Sequence, residues 1–333
     1  MRVLGEKEHP NRRWGLRMSF NKLITVVGPT AVGKTRVAIE IAKILQTVVV
    51  SADSRQFYKE MSIGTAKPSS EELASVPHYF IDSHQIKDNL SAGDFEREAL
   101  ALLGELFVRY SQVVLVGGSG LFVNALRQGL DDLPGPKPGV REKWNQIFAE
   151  QGIEALQQAL AVADPVYYEE VDLQNPQRLI RALEVWESTG KPFSSFRKRN
   201  ASEGSETANE HSETNRRPFD TLMIGLDMDR EQLYERINER VDLMMQSGLL
   251  DEVRSLYPHR HLPALKTVGY AELFDYLDGH VSLEEAVEKI KQNTRRYAKR
   301  QLTWFRKDAD TAWFDPSESE KIHKYILNAI DQN

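Results

Sequence analysis

The sequence predicts an α/β fold, a P-loop parallel sheet with helices on both faces plus a helical insertion domain, and three observations predict it. Short β-branched runs at residues 23–27 (LITVV), 48–50 (VVV) and 113–116 (VVLV) are separated by helix-like segments, the pattern of a parallel sheet buried on both faces. The stretch GPTAVGKT follows the first run directly and opens a helix-like segment. From residue 140 to about residue 198 the apolar spacing is helical, with no strand-like run.

Taken in order, residues 1–19 are polar and aperiodic and read as a disordered tail. The core then occupies residues 20–135 and 218–333, in two sequence pieces. The turn-rich LPGPKPG at 133–139 interrupts the strand-helix rhythm, and residues 136–200 form the helical insertion. Residues 201–217, within KRNASEGSETANEHSETNRR, are polar and of low complexity, which predicts a flexible loop. The core resumes with a strand-like run at 219–226. Asp229 then caps a helix whose apolar face is Leu233, Ile237, Val241 and Met244 and which Gly248 terminates. Arg236 and Arg240, four apart, share another face of that helix.

Composition narrows the chemistry. The 333 residues include no cysteine, which excludes disulfides, thiol catalysis and Cys-ligated zinc. Eight histidines show no metal-ligand spacing, so the metal to expect is Mg2+ held by oxygens. No stretch approaches the roughly 20 apolar residues of a membrane span, and the N-terminal region lacks the apolar middle of a signal peptide; a cytoplasmic protein is expected. The net charge of −6 argues mildly against a nucleic-acid partner, yet a global balance says little about one face.

GPTAVGKT fits the G-x-x-x-x-G-K-[ST] pattern with the strand and helix it requires. Backbone N–H groups and a helix N-terminus cradle phosphate oxygens there, Lys34 adds a point charge, and Thr35 can ligate magnesium. The second strand delivers Asp53 and Gln56 beyond its carboxyl end, at the rim of the ligand crevice. From spacing alone Asp53 reads equally as a catalytic base, a magnesium-shell carboxylate or a capping residue. The third strand ends in VGGSG, whose glycines permit close backbone approach and whose Ser119 can donate a hydrogen bond. Near the C-terminus residues 289–307, KIKQNTRRYAKRQLTWFRK, hold eight Lys or Arg and no acid, with Tyr297, Trp304 and Phe305 interleaved. Such a run suits a polyanion, the plainer reading being a solvated helix face. In the insertion, Arg178 and Arg181 share a helical face, with Leu179, Leu183 and Trp186 available for packing.

In order and spacing, GPTAVGKT, SADSRQFYKEMSIGTAKP, VPHYFIDS, VGGSGLF, NPQRLIRALEV, LYERINERVDLMMQSGLLDEV, VGYAE and TRRYAKRQLTWF resemble the bacterial tRNA dimethylallyltransferase family over residues 22–314. The resemblance implies transfer of an isopentenyl group from dimethylallyl diphosphate to N6 of adenosine 37 in the anticodon stem-loop of tRNA. It implies that Gly28, Pro29, Thr30, Ala31, Val32, Gly33, Lys34 and Thr35 grip the diphosphate rather than a nucleoside triphosphate. Asp53 matches the family's base, Arg178 another important arginine, and Lys34, Arg240 and Mg2+, with Thr35 as its protein ligand, would stabilise the leaving group. Contacts to an extruded base and its neighbours would come from Asp53, Ser54, Arg55, Gln56, Ser119, Arg141, Gln177, Arg178, Leu179, Ile180, Arg181, Lys266, Thr267, Val268, Gly269, Tyr270 and Ala271. Arg296, Lys299 and Arg300 of the basic run would hold RNA phosphates. The expected form is a monomer with no membrane partner.

Two departures stand out. The family usually writes GGTGLY where this chain has GGSGLF, so Phe122 lacks a phenol, and the zinc finger of eukaryotic relatives is absent. Two other functions remain open on the residues alone: a small-molecule or nucleoside kinase, which the same phosphate loop and carboxylate would serve, and a non-catalytic RNA-binding module.

Overall fold

The computed structural model describes residues 21–131, 133, 135, 137–197 and 217–331. The expected tail at 1–19, and all of the expected loop at 201–217 except Arg217, lie outside the described residues. The chain divides into two compact units, one of Met1–Gln128 with Arg216–Asn333 and the other of Gly129–Asn215.

The first unit is built on six parallel strands: β1 Lys22–Val27, β2 Val49–Ser51, β3 His78–Tyr79, β4 Gln112–Val116, β5 Asp220–Leu226 and β6 Ala312–Phe314, in the order β3-β2-β4-β1-β5-β6. Alternation along β1 sends Ile24 and Val26 to one face, against Val37, Ala38 and Ile41 of the helix Lys34–Ile44. Leu23 and Val27 go to the other, against Phe95, Ala99 and Leu103 of the helix Ala92–Leu106. Both faces are thus covered, and β1 lies between β4 and β5 with a buried middle. Because β2, β4 and β1 are consecutive in the sheet, the loops that follow them are neighbours at its carboxyl edge despite their distance in sequence.

The sheet has two strands more than the β-branched runs predict. β3 is two half-buried residues, and β6 three, each pairing with one neighbour at a sheet edge. The GGSG loop consequently follows the fourth strand, not the third.

Asp229 accepts from the N–H groups of Glu231 and Gln232 and so caps the helix Arg230–Gln246. Leu233, Ile237 and Val241 of that helix are buried, and Gly248, at φ 96°, takes the left-handed position just past its end. The helix Leu249–Leu256 starts there, and the basic run falls on a long helix, Leu283–Phe305, begun by a Ser282/Glu285 capping box. No helix among the described residues is long and apolar enough to cross a membrane.

The second unit packs the helices Val140–Gln151, Ile153–Ala163, Pro165–Glu170 and Pro176–Thr189 around Trp144, Leu156, Leu160, Leu179, Ile180 and Leu183. Asn175 caps the last of these and Pro176 occupies its first turn, which is what the NPQR stretch does locally. Trp186, on the same helix, is 37% exposed.

Candidate active site

The phosphate loop begins where β1 ends. Gly28 adopts φ 148°, and a Cβ there would lie 2.5 Å from the Leu226 carbonyl oxygen, so only glycine permits this approach to β5. Gly33, at φ 106°, turns the chain into the helix Lys34–Ile44, and no side chain caps that helix. Its first N–H groups, with the positive end of the helix dipole, face the loop. Lys34 donates from Nζ to the Pro29 carbonyl at 2.8 Å. Although the residue is half-buried, its ammonium is enclosed: burial lowers its pKa to about 8, Asp53 opposes the shift and Arg240 adds to it.

Two cavities open at the carboxyl edge of the sheet. One, of 390 Å³, is strongly polar, lined by Lys34, Thr35, Glu72, Arg236 and the loop glycine Gly33. The other, of 430 Å³, is lined by Ile237, Val241, Met244, Val268, Ile290 and Phe122 among others. Thr30, Asp53, Thr65 and Arg240 border both. Arg240 donates to Thr30 Oγ1 and to the Ala66 carbonyl, each at 3.4 Å. Burial pulls its guanidinium below the ordinary value while the charge of Asp53 holds it up, so a deeply placed cation faces a carboxylate at the junction of the two cavities.

Asp53 follows β2. Its Oδ1 accepts from the Arg55 N–H at 3.0 Å, a local turn bond, while Oδ2 makes no hydrogen bond to protein among the described residues. No helix starts there, so a helix-capping role does not account for it. Ser119 Oγ accepts from the Ser54 N–H and donates to Ser54 Oγ, both at 3.0 Å, tying the loop after β4 to the loop after β2. Gln56 also lines the polar cavity, but its amide is committed to the protein: Nε2 donates to the Thr65 and Ala66 carbonyls at 3.2 Å.

The GGSG glycines meet other elements closely. A Cβ at Gly117 would lie 2.6 Å from the Ala52 carbonyl oxygen, one at Gly118 2.3 Å from Gln301 Nε2, and one at Gly120 2.2 Å from Trp304 Nε1. Gln301, only 6% exposed, bridges the two loops, accepting from the Thr30 N–H at 2.8 Å and donating to the Gly118 carbonyl at 2.9 Å. Sequence reasoning missed Gln301 and placed Tyr297 and Trp304 only as aromatics among cations. Their spacing was the available signal, since Ile290, Thr294, Tyr297, Gln301 and Trp304 recur at helical intervals and all line the second cavity. Tyr297 is pushed up to about 12, first by burial and then by the charge of Asp53, and its phenol stays neutral.

The remaining expected residues separate by burial. Thr267, Val268 and Gly269 line the second cavity, and Lys266 and Ala271 are exposed. Tyr270 is fully buried, its hydroxyl donating to Glu252 Oε1 at 2.6 Å, and Leu179 and Ile180 are fully buried in the second unit. These three were expected to touch RNA as members of contiguous stretches, but helical and turn geometry sends their side chains inward. In the second unit Gln177 and Arg178 stand exposed on the first turn of their helix, while Arg141 and Arg181 both reach the buried carboxylate of Glu184.

The basic run is less uniform than its composition. Lys291 pairs with Asp242 and Glu288, and Arg306 with Asp227, acids that lie outside the run. Arg296, Lys299 and Arg300 are exposed and have no acidic partner among the described residues, Arg300 lying over the Tyr297 ring at 5.8 Å.

The IPP transferase family model matches residues 56–308. A tRNA dimethylallyltransferase of Christiangramia forsetii is 50% identical over 93% of this chain and 99% of its own length. The crystal structure of the full-length tRNA isopentenylpyrophosphate transferase from Bacillus halodurans superposes with a TM-score of 0.67 at 38% identity, covering 94% of this chain and 97% of that one. A eukaryotic dimethylallyltransferase caught acting on tRNA gives a TM-score of 0.74 at 25% identity, over 92% of this chain and 80% of that one.

Proposed function

Because the chain belongs to the IPP transferase family, we propose that it transfers the dimethylallyl group of dimethylallyl diphosphate to N6 of adenosine 37 in tRNA and releases diphosphate. The observation that carries this reading is the meeting, at Asp53 and Arg240, of a polar cavity that holds the phosphate loop and Lys34 with a largely apolar one. A diphosphate in the first, held by the loop N–H groups, Lys34 and Arg240, leaves its allylic carbon at the border. The apolar lining of the second cavity suits a C5 chain and a purine face. A kinase would need that border occupied by a γ-phosphate and a polar acceptor, for which Ile237, Val241, Met244 and Val268 are poor company.

An exocyclic adenine amine is a weak nucleophile because its lone pair is delocalised into the ring, so loss of its proton must accompany attack. Asp53, whose Oδ2 makes no hydrogen bond to protein among the described residues, is the proposed acceptor. Departure of diphosphate builds charge on its oxygens, which Lys34, Arg240 and the helix N-terminus stabilise. The residues also fit Mg2+: among the described residues no three acids gather into a protein-built site, but the Thr35 hydroxyl lines the phosphate cavity, a donor suited to an ion held mainly by substrate oxygens. When bound, that ion supplies further neutralisation of the leaving group. The target base must leave the anticodon-loop stack, at a cost of a few kcal/mol. Contacts from Ser119, Thr267 and the exposed Arg296, Lys299 and Arg300 offset it, with Arg141, Gln177, Arg178 and Arg181 proposed to add RNA contacts from the second unit. Cytoplasmic action as a monomer, on free tRNA, completes the reading.

The test is to incubate purified protein, Mg2+, dimethylallyl diphosphate and an anticodon stem-loop carrying adenosines at 36 and 37, then digest the RNA for mass spectrometry. One added C5H8 unit on the nucleoside at 37 is expected. No mass gain, together with transfer of phosphate from ATP to an acceptor, would replace this function with a kinase.

A further inference from the structure

Glu252 stands on the helix Leu249–Leu256 and lines neither cavity of the site, yet it holds a loop that lines both. Its Oε2 accepts from the backbone N–H groups of Ser62 at 3.0 Å and Ile63 at 2.7 Å. Its Oε1 accepts from the Gly64 N–H at 3.0 Å and from the Tyr270 hydroxyl at 2.6 Å. Three consecutive amides converging on one carboxylate make a backbone nest around an anion, and hydrogen bonds to an ionised acceptor are stronger than neutral ones. The ring of Tyr270 closes the other side, since a Cβ on Gly64 would meet it at 2.6 Å. The loop is therefore pinned from below by one acid and one phenol.

The pinned loop accepts a hydrogen bond from Arg240, the cation of the helix Arg230–Gln246 proposed to meet the diphosphate. Two residues after Gly64, the Ala66 carbonyl accepts from Arg240 Nη2 at 3.4 Å and from Gln56 Nε2 at 3.2 Å. Ala66 sits at φ 48°, a conformation that an alanine keeps only where its surroundings hold it. The other hydrogen bond that Arg240 makes to protein among the described residues, to Thr30 Oγ1, is also long at 3.4 Å. One of the two hydrogen bonds that the guanidinium makes to protein among the described residues thus goes to a loop that Glu252 fastens.

We propose that Glu252 is a positioning residue: by clamping Ser62, Ile63 and Gly64 it sets where Arg240 stands against the leaving diphosphate. It links the segment containing Tyr270 to the border of the two cavities. The inference rests on the proposed function for the role of Arg240, but the placement can be read separately through diphosphate binding.

The test is a double-mutant cycle on Glu252→Gln and Arg240→Ala, read as kcat/KM for dimethylallyl diphosphate and as calorimetric Kd for inorganic diphosphate. Glu252→Gln keeps the size but replaces an acceptor oxygen by a donor facing donors. In the otherwise native protein it should lower kcat/KM by about 10- to 100-fold, the scale of a misplaced catalytic group, and weaken diphosphate binding. Without Arg240 the same substitution should cost less than about threefold, because nothing remains to be positioned. A loss as large in the Arg240→Ala protein, or activity within twofold of native in Glu252→Gln alone, would overturn the proposal. Tyr270→Phe removes one donor and leaves three, so it carries the same cycle if Glu252→Gln does not fold: a loss of a few fold that vanishes without Arg240 supports the role, and an equal loss in both backgrounds overturns it. Should the native protein make no prenylated nucleoside, the proposed function fails while the diphosphate cycle still decides the part played by Glu252.

Discussion

Raising the pH should weaken the phosphate loop in a window that Lys34 sets. Burial lowers its ammonium from an ordinary 10.5 to about 8, so the ligand-free protein carries this cation almost fully at about pH 7 and in about one molecule in ten at about pH 9. If the diphosphate binds only the cationic form, affinity falls about tenfold between those values, or ~1.4 kcal/mol. The assay is titration calorimetry with dimethylallyl diphosphate from about pH 6.5 to about pH 9.5, on the native protein and on Lys34→Gln; taking the ratio of affinities removes the ionisation of the ligand itself. The ratio should be flat to about pH 7.5 and then decline through the Lys34 pKa. A ratio unchanged at about pH 9.5 would mean that the ammonium titrates as an exposed lysine does, and that the enclosure argued for it is wrong. Folding responds with the opposite sign: between about pH 8 and 10.5 the unfolded chain binds the proton that the folded one has lost, so this group makes the free protein more stable as pH rises through that window.

Asp53→Ala should lower kcat by at least about 100-fold, the lower end for a general base, and leave tRNA affinity by filter binding within a few fold; full turnover would remove Asp53 as the proton acceptor. Replacing Lys299 and Arg300 together by Ala should reduce the slope of log affinity against log salt by about 1.4 to 1.8, the loss of two phosphate contacts, whereas an unchanged slope would return that face to ordinary solvated surface. Gly120→Ala drives a methyl to within 2.2 Å of the Trp304 indole, at a cost of about 1–3 kcal/mol in stability and with loss of activity as the ring moves. Thermal melts should show most of that cost disappear in a Trp304→Ala background, and a cost that persists there would place the strain elsewhere.

How much could be read in advance follows from how local each feature is. The phosphate loop is contiguous, and the strands that flank it announce themselves because central parallel strands are buried on both faces and so are β-branched throughout. The Asp229 cap is equally local, with donors two and three residues away. β3 and β6 carried no such signal: two or three half-buried residues at a sheet edge need neither alternation nor a long apolar run. Asp53 and Ser119 could be named because each follows a recognisable strand. Gln301 could not, since its bonds reach 271 residues back to Thr30 and 183 back to Gly118, and a glutamine in a basic helix looks like surface. Glu252 was hidden for the same reason, 188 to 190 residues from the amides that it holds. Tyr270, Leu179 and Ile180 show the reverse error, in which a stretch taken as a unit includes side chains that the fold turns inward. The basic run misleads by composition, because Asp242 and Asp227 neutralise part of it from other elements.

In the proposed reaction the anion held by the phosphate loop departs from carbon. The most direct measurement is a single reaction containing tritiated dimethylallyl diphosphate, γ-³²P-ATP, Mg2+ and the anticodon stem-loop, in which tritium on RNA, free inorganic diphosphate and ³²P on any acceptor are counted over time. Tritium and diphosphate should accumulate one for one, with no ³²P transferred and with ATP not required. Phosphorus label on an acceptor without tritium on the RNA would contradict it.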